Sequence, residues 1–387
     1  MPPPAAGALL ALVGVSALVL ALIALAGPIA RRYGRARLPA VLIALVLALP
    51  LAPIRATLGL GSLDLLLFGL VTADVVALRR SAWARSRAAW WPGPPASRPP
   101  SLLLGRFSSL LLGRFSSLLL LCRFSSLPGG CVSWLGRGGV SWLRRGWATG
   151  AWAGVGTGIA TALAIGPGLF IAYLAVTRQW RAAVTATITA ATLLAAGSLA
   201  APGATWLPRP NRLLDDPLNQ SLAGVLARLY DSTTTPILIW LSFSALLVAV
   251  GLTRARSAHT DGDEIAAFTL VGLTGAAVGP VTRIHELVWI VPAILILVDA
   301  AAHRRVTTKG PKARRHPGLG FAIAAALVYS LTLADPRWTA GWNGYAFTLI
   351  LLLNALPWRP GVAPAIPARR QPQPLRRAPA IPGPRAR

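Results

Sequence analysis

Cysteine, acid and histidine are all scarce in this chain. Its 387 residues include 2 Cys, 4 His and 11 Asp and Glu, against 38 Lys and Arg. Cys122 and Cys131 lie together in one low-complexity stretch without ligand-like neighbours, which excludes a disulfide framework and a zinc site. No metal and no cofactor is expected. Charged residues make up only 13% of the chain, while 55% is hydrophobic and the mean hydropathy is +0.60, which leaves too little polar surface to cover a water-soluble core of this length. The formal net charge of +27 would suggest nucleic acid if the basic residues lined one domain, but they fall in short blocks between apolar runs. They read as topology signals, and no nucleic-acid partner is expected. The opening MPPPAAGALL carries no positive charge ahead of its apolar run, which excludes an ordinary secretory signal. What remains is an all-α, polytopic transmembrane helical bundle, with about eight spans plus a re-entrant hairpin.

The stretch that organises the chain is GPVTRIHELVWIVPAILILVDAAAHRR, residues 279–305. Arg283, His285 and Glu286 stand at the mouth of an apolar run that ends in His303, Arg304 and Arg305, so a titratable cluster faces one side of a membrane and a basic anchor the other. The plain alternative is an interfacial belt in which the charges snorkel and Trp289 marks the headgroup level. Upstream, residues 5–27 are long enough to span, and Arg31, Arg32, Arg35 and Arg37 follow them, which puts the N-terminus outside. The first unit, residues 1–78, holds N-terminal transmembrane helices and is expected to be truncated at its start.

Residues 79–146 break the pattern, with eleven arginines and no acid. SLLLGRFS at 101–108 recurs at 109–116, and CVSWLGRG at 131–138 is followed by GVSWLRRG at 139–146. This basic low-complexity insertion matches no recognisable repeat architecture and resembles expanded repeat DNA; a basic surface helix on anionic lipid is the alternative. A transmembrane core follows at 147–357, opening with an apolar stretch to 177 that is broken at Gly166-Pro167-Gly168 and reads as the re-entrant hairpin. A Pro/Arg-rich segment, 358–387, reads as a disordered basic tail.

Placing every basic block inside sends GLGS, DDPLNQS, PVTRIHE and DPRWTAGWNG outside. That face gathers Asp64, Asp215, Asp216, Asp231, Glu286 and Asp335, together with Asn219, Gln220 and Asn343. Such a surface can deprotonate a hydroxyl, hydrogen-bond a sugar and stack it on indole, while Arg55, Arg212, Arg228 and Arg283 hold a lipid phosphate. HELVW begins like a zinc-protease helix, but Trp289 stands where the second His is needed, so that reading is rejected. Asn219-Gln220-Ser221 matches a glycosylation triplet that is frequent by chance. Asp64 and Asp74 suggest a proton relay, although Asp74 and Asp299 both lie near inner arginines and read better as paired or snorkelling.

Three motifs stand in a fixed order: TLGLGSLDLLLFGLVTADVVALRR, LAIGPGLFIAYLAVTRQWRAA, and NQSLAGVLARL followed by GPVTRIHELVWIVPA. They resemble the polyprenyl-phosphate-mannose-dependent α-(1→2)-mannosyltransferases of the GT-C type, glycosyltransferase family 87, over most of the chain outside 79–146 and the tail. The resemblance implies a multi-pass enzyme of the cell membrane. It would move mannose from polyprenyl-phosphate-mannose to a glycolipid or lipoglycan at the extracytoplasmic face, with inversion and without a required metal. On that scheme Glu286 is the candidate base and His285 its catalytic neighbour. Arg283 contacts the phosphate or sugar, Asn219 and Gln220 orient sugar hydroxyls, and Asp64 and Arg55 complete the substrate-binding set.

Departures accompany the match. Ser62 and Asp64 occupy the Gln and Asn positions of the family's GxGQxNLLL bend, and Gly166 stands where a Lys precedes the helix break. Gly279-Pro280 and His285-Glu286 stand for a Ser-Pro followed by two histidines. The family's presumed catalytic acid lies in a first outer loop upstream of this chain's start, so a weak or inactive enzyme is expected. The alternatives are a transporter or permease, argued from the broken helix at 166–168, and a non-catalytic remnant.

Overall fold

Residues 264–278, EIAAFTLVGLTGAAV, have no polar stripe to turn toward water or headgroups, and a helix apolar all round belongs inside a bundle. In the computed structural model, which describes residues 3–90, 150–164, 166–201, 216, 218–230, 237–307 and 318–359, this segment is the central helix, buried on every side. Around it the chain runs α1 (Pro3–Arg32), α2 (Arg37–Ala48), α3 (Ala52–Leu60), α4 (Asp64–Trp90), α5 (Val155–Leu163), α6 (Gly168–Val176), α7 (Trp180–Ala200), α8 (Leu222–Leu229) and α9 (Ile237–Thr260). The central helix itself is α10 (Glu264–Val278). After it come a 3-10 turn (Ile284–Trp289), α11 (Ile290–Thr307), α12 (Leu319–Leu333), α13 (Pro336–Gly341) and α14 (Gly344–Ala355). No strand occurs among the described residues.

Among the described residues, four helices are long and apolar enough to cross a membrane: Gly7–Arg32, Trp180–Ala200, Ile237–Thr260 and Ile284–Thr307. A fifth crossing results if α2 and α3, bent 76° to one another, count as one broken span. Three further apolar helices, α10, α12 and α14, are each shorter than the roughly 20 residues a straight crossing needs. The apolar stretch expected to break at Gly166-Pro167-Gly168 does so, and α5 and α6 end and begin on either side of it. At nine residues each, they are about 14 Å long and cannot cross singly.

Two apolar clusters form the interior. One joins α1 through Leu18, Leu22 and Leu25 to Val41, Ile54, Leu65 and Phe68, and to Val288 and Val291. The larger is centred on α10 and gathers Val71, Phe170, Tyr173, Ala186, Leu270, Leu287, Tyr345 and Leu353. Trp289 packs against both. Its ring meets Phe68 edge-on at 5.1 Å and Phe170 at 5.1 Å, and it lies across Gly272, where an added Cβ would sit 2.0 Å from the indole. The alternative in which Trp289 marks the headgroup level does not fit this packing: the absence of a side chain at position 272 lets the indole close the seam between the two clusters.

The basic end of the bundle is held by carboxylates. Asp299 pairs with Arg32 at 3.0 Å and with Arg359 at 3.1 Å, and accepts from the Tyr33 hydroxyl at 3.0 Å. Trp358 Nε1 donates to Asp261 Oδ2 at 2.7 Å, and Arg254 NH2 to the Leu356 carbonyl at 2.7 Å. His259 Nδ1 lies 2.8 Å from Glu264 Oε1. Trp358 and Arg359, the first residues expected in the tail, are thus bound to the bundle, and residues 360–387 lie outside the described ones. Asp74 is paired as expected, although not with arginine: its carboxylate accepts from the Thr157 amide at 2.6 Å and the Gly156 amide at 3.3 Å, serving the open N-terminus of α5.

Candidate active site

The site starts from a bend that only glycine makes easily. Gly61 ends α3 with φ +61, the left-handed conformation that a Cβ disfavours, and the reversal delivers Ser62 and Asp64 to the start of α4. The Ser62 hydroxyl donates to Asp64 Oδ2 at 2.7 Å. His285 Nε2 stands 3.8 Å from the same oxygen, too far for a hydrogen bond and close enough for charge to be felt. Both side chains are largely shielded, at 15% exposure for His285 and 21% for Asp64. The backbone of His285 is held from α3, since the Thr57 hydroxyl reaches its carbonyl at 3.3 Å. The 3-10 turn is held within itself by the Glu286 amide, which donates to the Arg283 carbonyl at 3.0 Å. Arg55 lies exposed two residues before Thr57, on the helix that supports His285.

A second layer comes from the segment ahead of α8. Asn219 and Gln220 are buried, at 1% and 0% exposure. Asn219 Oδ1 accepts from the Thr282 amide at 2.9 Å and the Ser221 amide at 3.1 Å, while its Nδ2 donates to the Pro280 carbonyl at 3.3 Å. The Gln220 amide donates to the Thr282 carbonyl at 2.8 Å, and its side chain to the Ala340 carbonyl at 3.4 Å. Arg228 donates to the carbonyls of Asp216 at 2.8 Å and Asn219 at 2.9 Å, and to the Asn343 side chain. Burial draws the Arg228 guanidinium below its usual pKa, and the Asp216 charge works against that shift. Asn219 and Gln220, expected to orient sugar hydroxyls, stand here on the protein's own backbone, Asn219 through Oδ1 and Nδ2 and Gln220 through Nε2. The same burial removes Asn219 as a glycosylation acceptor.

All four polar segments assigned to one face therefore meet at one end of the bundle: the Gly-rich bend, the residues around 219, the loop at 280–286 and the turn at 335–343. Asp215, Asp231 and Arg212 lie outside the described residues. Reading the sequence did not single out Thr57 or Thr282, and it offered Arg228 to a lipid phosphate, where the structure has its guanidinium on Asp216, Asn219 and Asn343. Thr57 reaches the His285 carbonyl and Arg228 the Asn343 side chain across long stretches of chain, and no local spacing announces either contact. Among the described residues, no group of three or more His, Cys, Asp or Glu is placed to hold a metal ion.

A search against family models matches residues 1–96 and 101–280 to glycosyltransferase family 87, well over half of the chain. The chain belongs to that family. A polyprenol-phosphate-mannose-dependent alpha-(1-2)-phosphatidylinositol mannoside mannosyltransferase of Mycobacterium tuberculosis (strain ATCC 25618 / H37Rv) is similar over 152 residues at 31% identity, covering 37% of this chain. The match spans only about a third of that curated relative, 36% of its length. No solved structure matches the chain.

The extent of the match differs from the one the motifs suggested. In this family 87 chain it runs through the repeat arrays and stops at Pro280, so it takes in Arg55, Asp64, Asn219 and Gln220 and leaves out Arg283, His285 and Glu286. The geometry links the two sets, since His285 faces Asp64 and the loop before Arg283 is bonded to Asn219.

Proposed function

We propose that this family 87 chain is a membrane mannosyltransferase that takes mannose from a polyprenyl-phosphate donor and delivers it to a glycolipid or lipoglycan at the extracytoplasmic face. The observation that carries the reading is the approach of His285 to Asp64, with Arg283 and Glu286 in the same turn and Ser62 fixing the facing oxygen. A lipid phosphate leaving a sugar gathers negative charge, and cationic donors at a shielded membrane rim offset it more strongly than they would in water. The mycobacterial relative, named for its polyprenol-phosphate-mannose donor and phosphatidylinositol mannoside acceptor, supports the donor class and the kind of acceptor.

In this scheme an acceptor hydroxyl attacks the anomeric carbon from the face opposite the phosphate. The new C–O bond forms as the old one breaks, and its electron pair leaves on the polyprenyl phosphate. Glu286 takes the proton of the attacking hydroxyl. Arg283 and His285 face the departing phosphate, with the Asp64 carboxylate, fixed by Ser62, supplying a charge beside the imidazole and Arg55 approaching from α3. His285→Ala and Arg283→Ala are each expected to lower transfer from polyprenyl-phosphate-mannose in isolated membranes by roughly two to four orders of magnitude, at unchanged protein level. Transfer that persists undiminished in both variants overturns the proposal.

A further inference from the structure

The loop between α10 and the 3-10 turn has no helical ladder of its own, so its backbone groups need partners from elsewhere. Those groups are taken up by three consecutive residues about sixty positions earlier. The Pro280 carbonyl accepts from Asn219 Nδ2 at 3.3 Å and from the Ser221 hydroxyl at 3.1 Å. Both backbone groups of Thr282 are engaged, the amide by Asn219 Oδ1 at 2.9 Å and the carbonyl by the Gln220 amide at 2.8 Å. On its other side the loop is tied to the end of α10, where the Thr282 hydroxyl donates to the Ala276 carbonyl at 2.6 Å. Arg283 follows directly, and His285 two residues later.

The clamp is itself anchored. Arg228 grips the Asn219 carbonyl and the Asn343 side chain together, and Asn343 stands in the left-handed region at φ 59, at the start of α14. The loop that leads into Arg283 and His285 is thus referenced to α8, α10 and α14 through one buried amide that uses its oxygen and its nitrogen on the same loop.

We infer that Asn219 is a positioning residue of the transfer reaction, acting on substrate through the 280–282 loop by setting where Arg283 and His285 stand. The inference rests on the function proposed above, and its test is built so that the two fail separately. A misplacement of about 1 Å at a reacting group can cost roughly a hundredfold in rate, and such a loss falls on kcat when the missing interaction belongs to the transition state. Asn219→Ala is therefore expected to lower kcat for mannosyl transfer by about a hundredfold, with the KM for polyprenyl-phosphate-mannose changed less than about threefold. Asn219→Asp keeps an acceptor for the Ser221 and Thr282 amides and is expected to recover activity to within about tenfold of the parent chain.

A double-mutant cycle supplies the decisive arm. In a background that lacks both side chains, Arg283→Ala/His285→Ala, Asn219→Ala should cost less than about threefold more, because the groups it positions are already gone. A full further hundredfold loss in that background would mean that Asn219 meets the sugar directly and would overturn the inference, as would unchanged kcat in Asn219→Ala. Should Asn219→Ala fail to accumulate, Ser221→Ala takes its place, removing one bond to Pro280 and carrying the same non-additive expectation. If His285→Ala and Arg283→Ala alone leave transfer intact, the proposed function falls. Additive losses with those two variants impaired overturn only the positioning role.

Discussion

Asp64 and Asp74 lie on one helix and take different parts, and their surroundings account for it. Ten residues of helix separate them by about 15 Å, beyond any direct proton hand-off, so the relay that their spacing suggests does not form. Asp64 sits at the helix start with Ser62 and His285 around one oxygen. Asp74 is 1% exposed and satisfies two amides at the start of α5. The sequence made each carboxylate conspicuous against an apolar background, yet their partners lie some 80 or 220 residues away, which no local pattern encodes. Asp74→Leu leaves two buried amides without an acceptor, each costing about 1–3 kcal/mol. A clear fall in the thermal midpoint of the detergent-solubilised protein is expected, with transfer per folded molecule unaltered. A midpoint equal to that of the parent chain would show that the α5 amides find other acceptors.

At the scale of elements, apolar runs and their breaks were largely legible. The helix interruption at Gly166-Pro167-Gly168 and the bend at Gly61 fall where glycine and proline put them, because those residues act through their own backbone. Which element lies at the centre was not legible from the most conspicuous motif. The stretch at 279–305 attracts attention through its charges, whereas the helix buried on every side is the unremarked α10 just before it. Trp289 shows why: an indole near a membrane mouth reads as an interfacial anchor, and only the packed partners Gly272, Phe68 and Phe170 reveal it as an interior joint. Gly272→Ala forces a methyl group into the ring and is expected to destabilise the bundle by about 1–3 kcal/mol. Trp289→Leu in the same chain should recover part of that loss, so thermal unfolding of the single and double variants measures the contact. Strictly additive effects would mean that the two positions do not share it.

For the whole molecule, polar groups are sorted to two ends. One holds Ser62, Asp64, His285, Asn219 and Asn343, and the other Arg32, Asp299, Arg359, Arg254 and Asp261. From His285 to Asp299 along the 3-10 turn and α11 the rise is roughly 20–25 Å, comparable to the hydrocarbon depth of a bilayer. The direction of the sorting comes from arginine: short basic loops stay on the cytoplasmic side. The grouping of polar segments was legible because alternating apolar runs and basic blocks leave few consistent arrangements. The bonds that knit each end were not, since they join residues from distant loops. The basic end should therefore face the cytoplasm and the His285 end the exterior. Positions suited to a test are exposed ones, Trp338 at 65% exposure beside the site and Ser257 among the arginines of α9. In a chain whose Cys122 and Cys131 are replaced by Ala, Trp338→Cys should react with a membrane-impermeant maleimide in intact cells, while Ser257→Cys should react only after permeabilisation. The opposite pattern would turn the bundle over and move the proposed transfer to the cytoplasmic leaflet, where the donor's phosphate would have to meet the same residues from the other side.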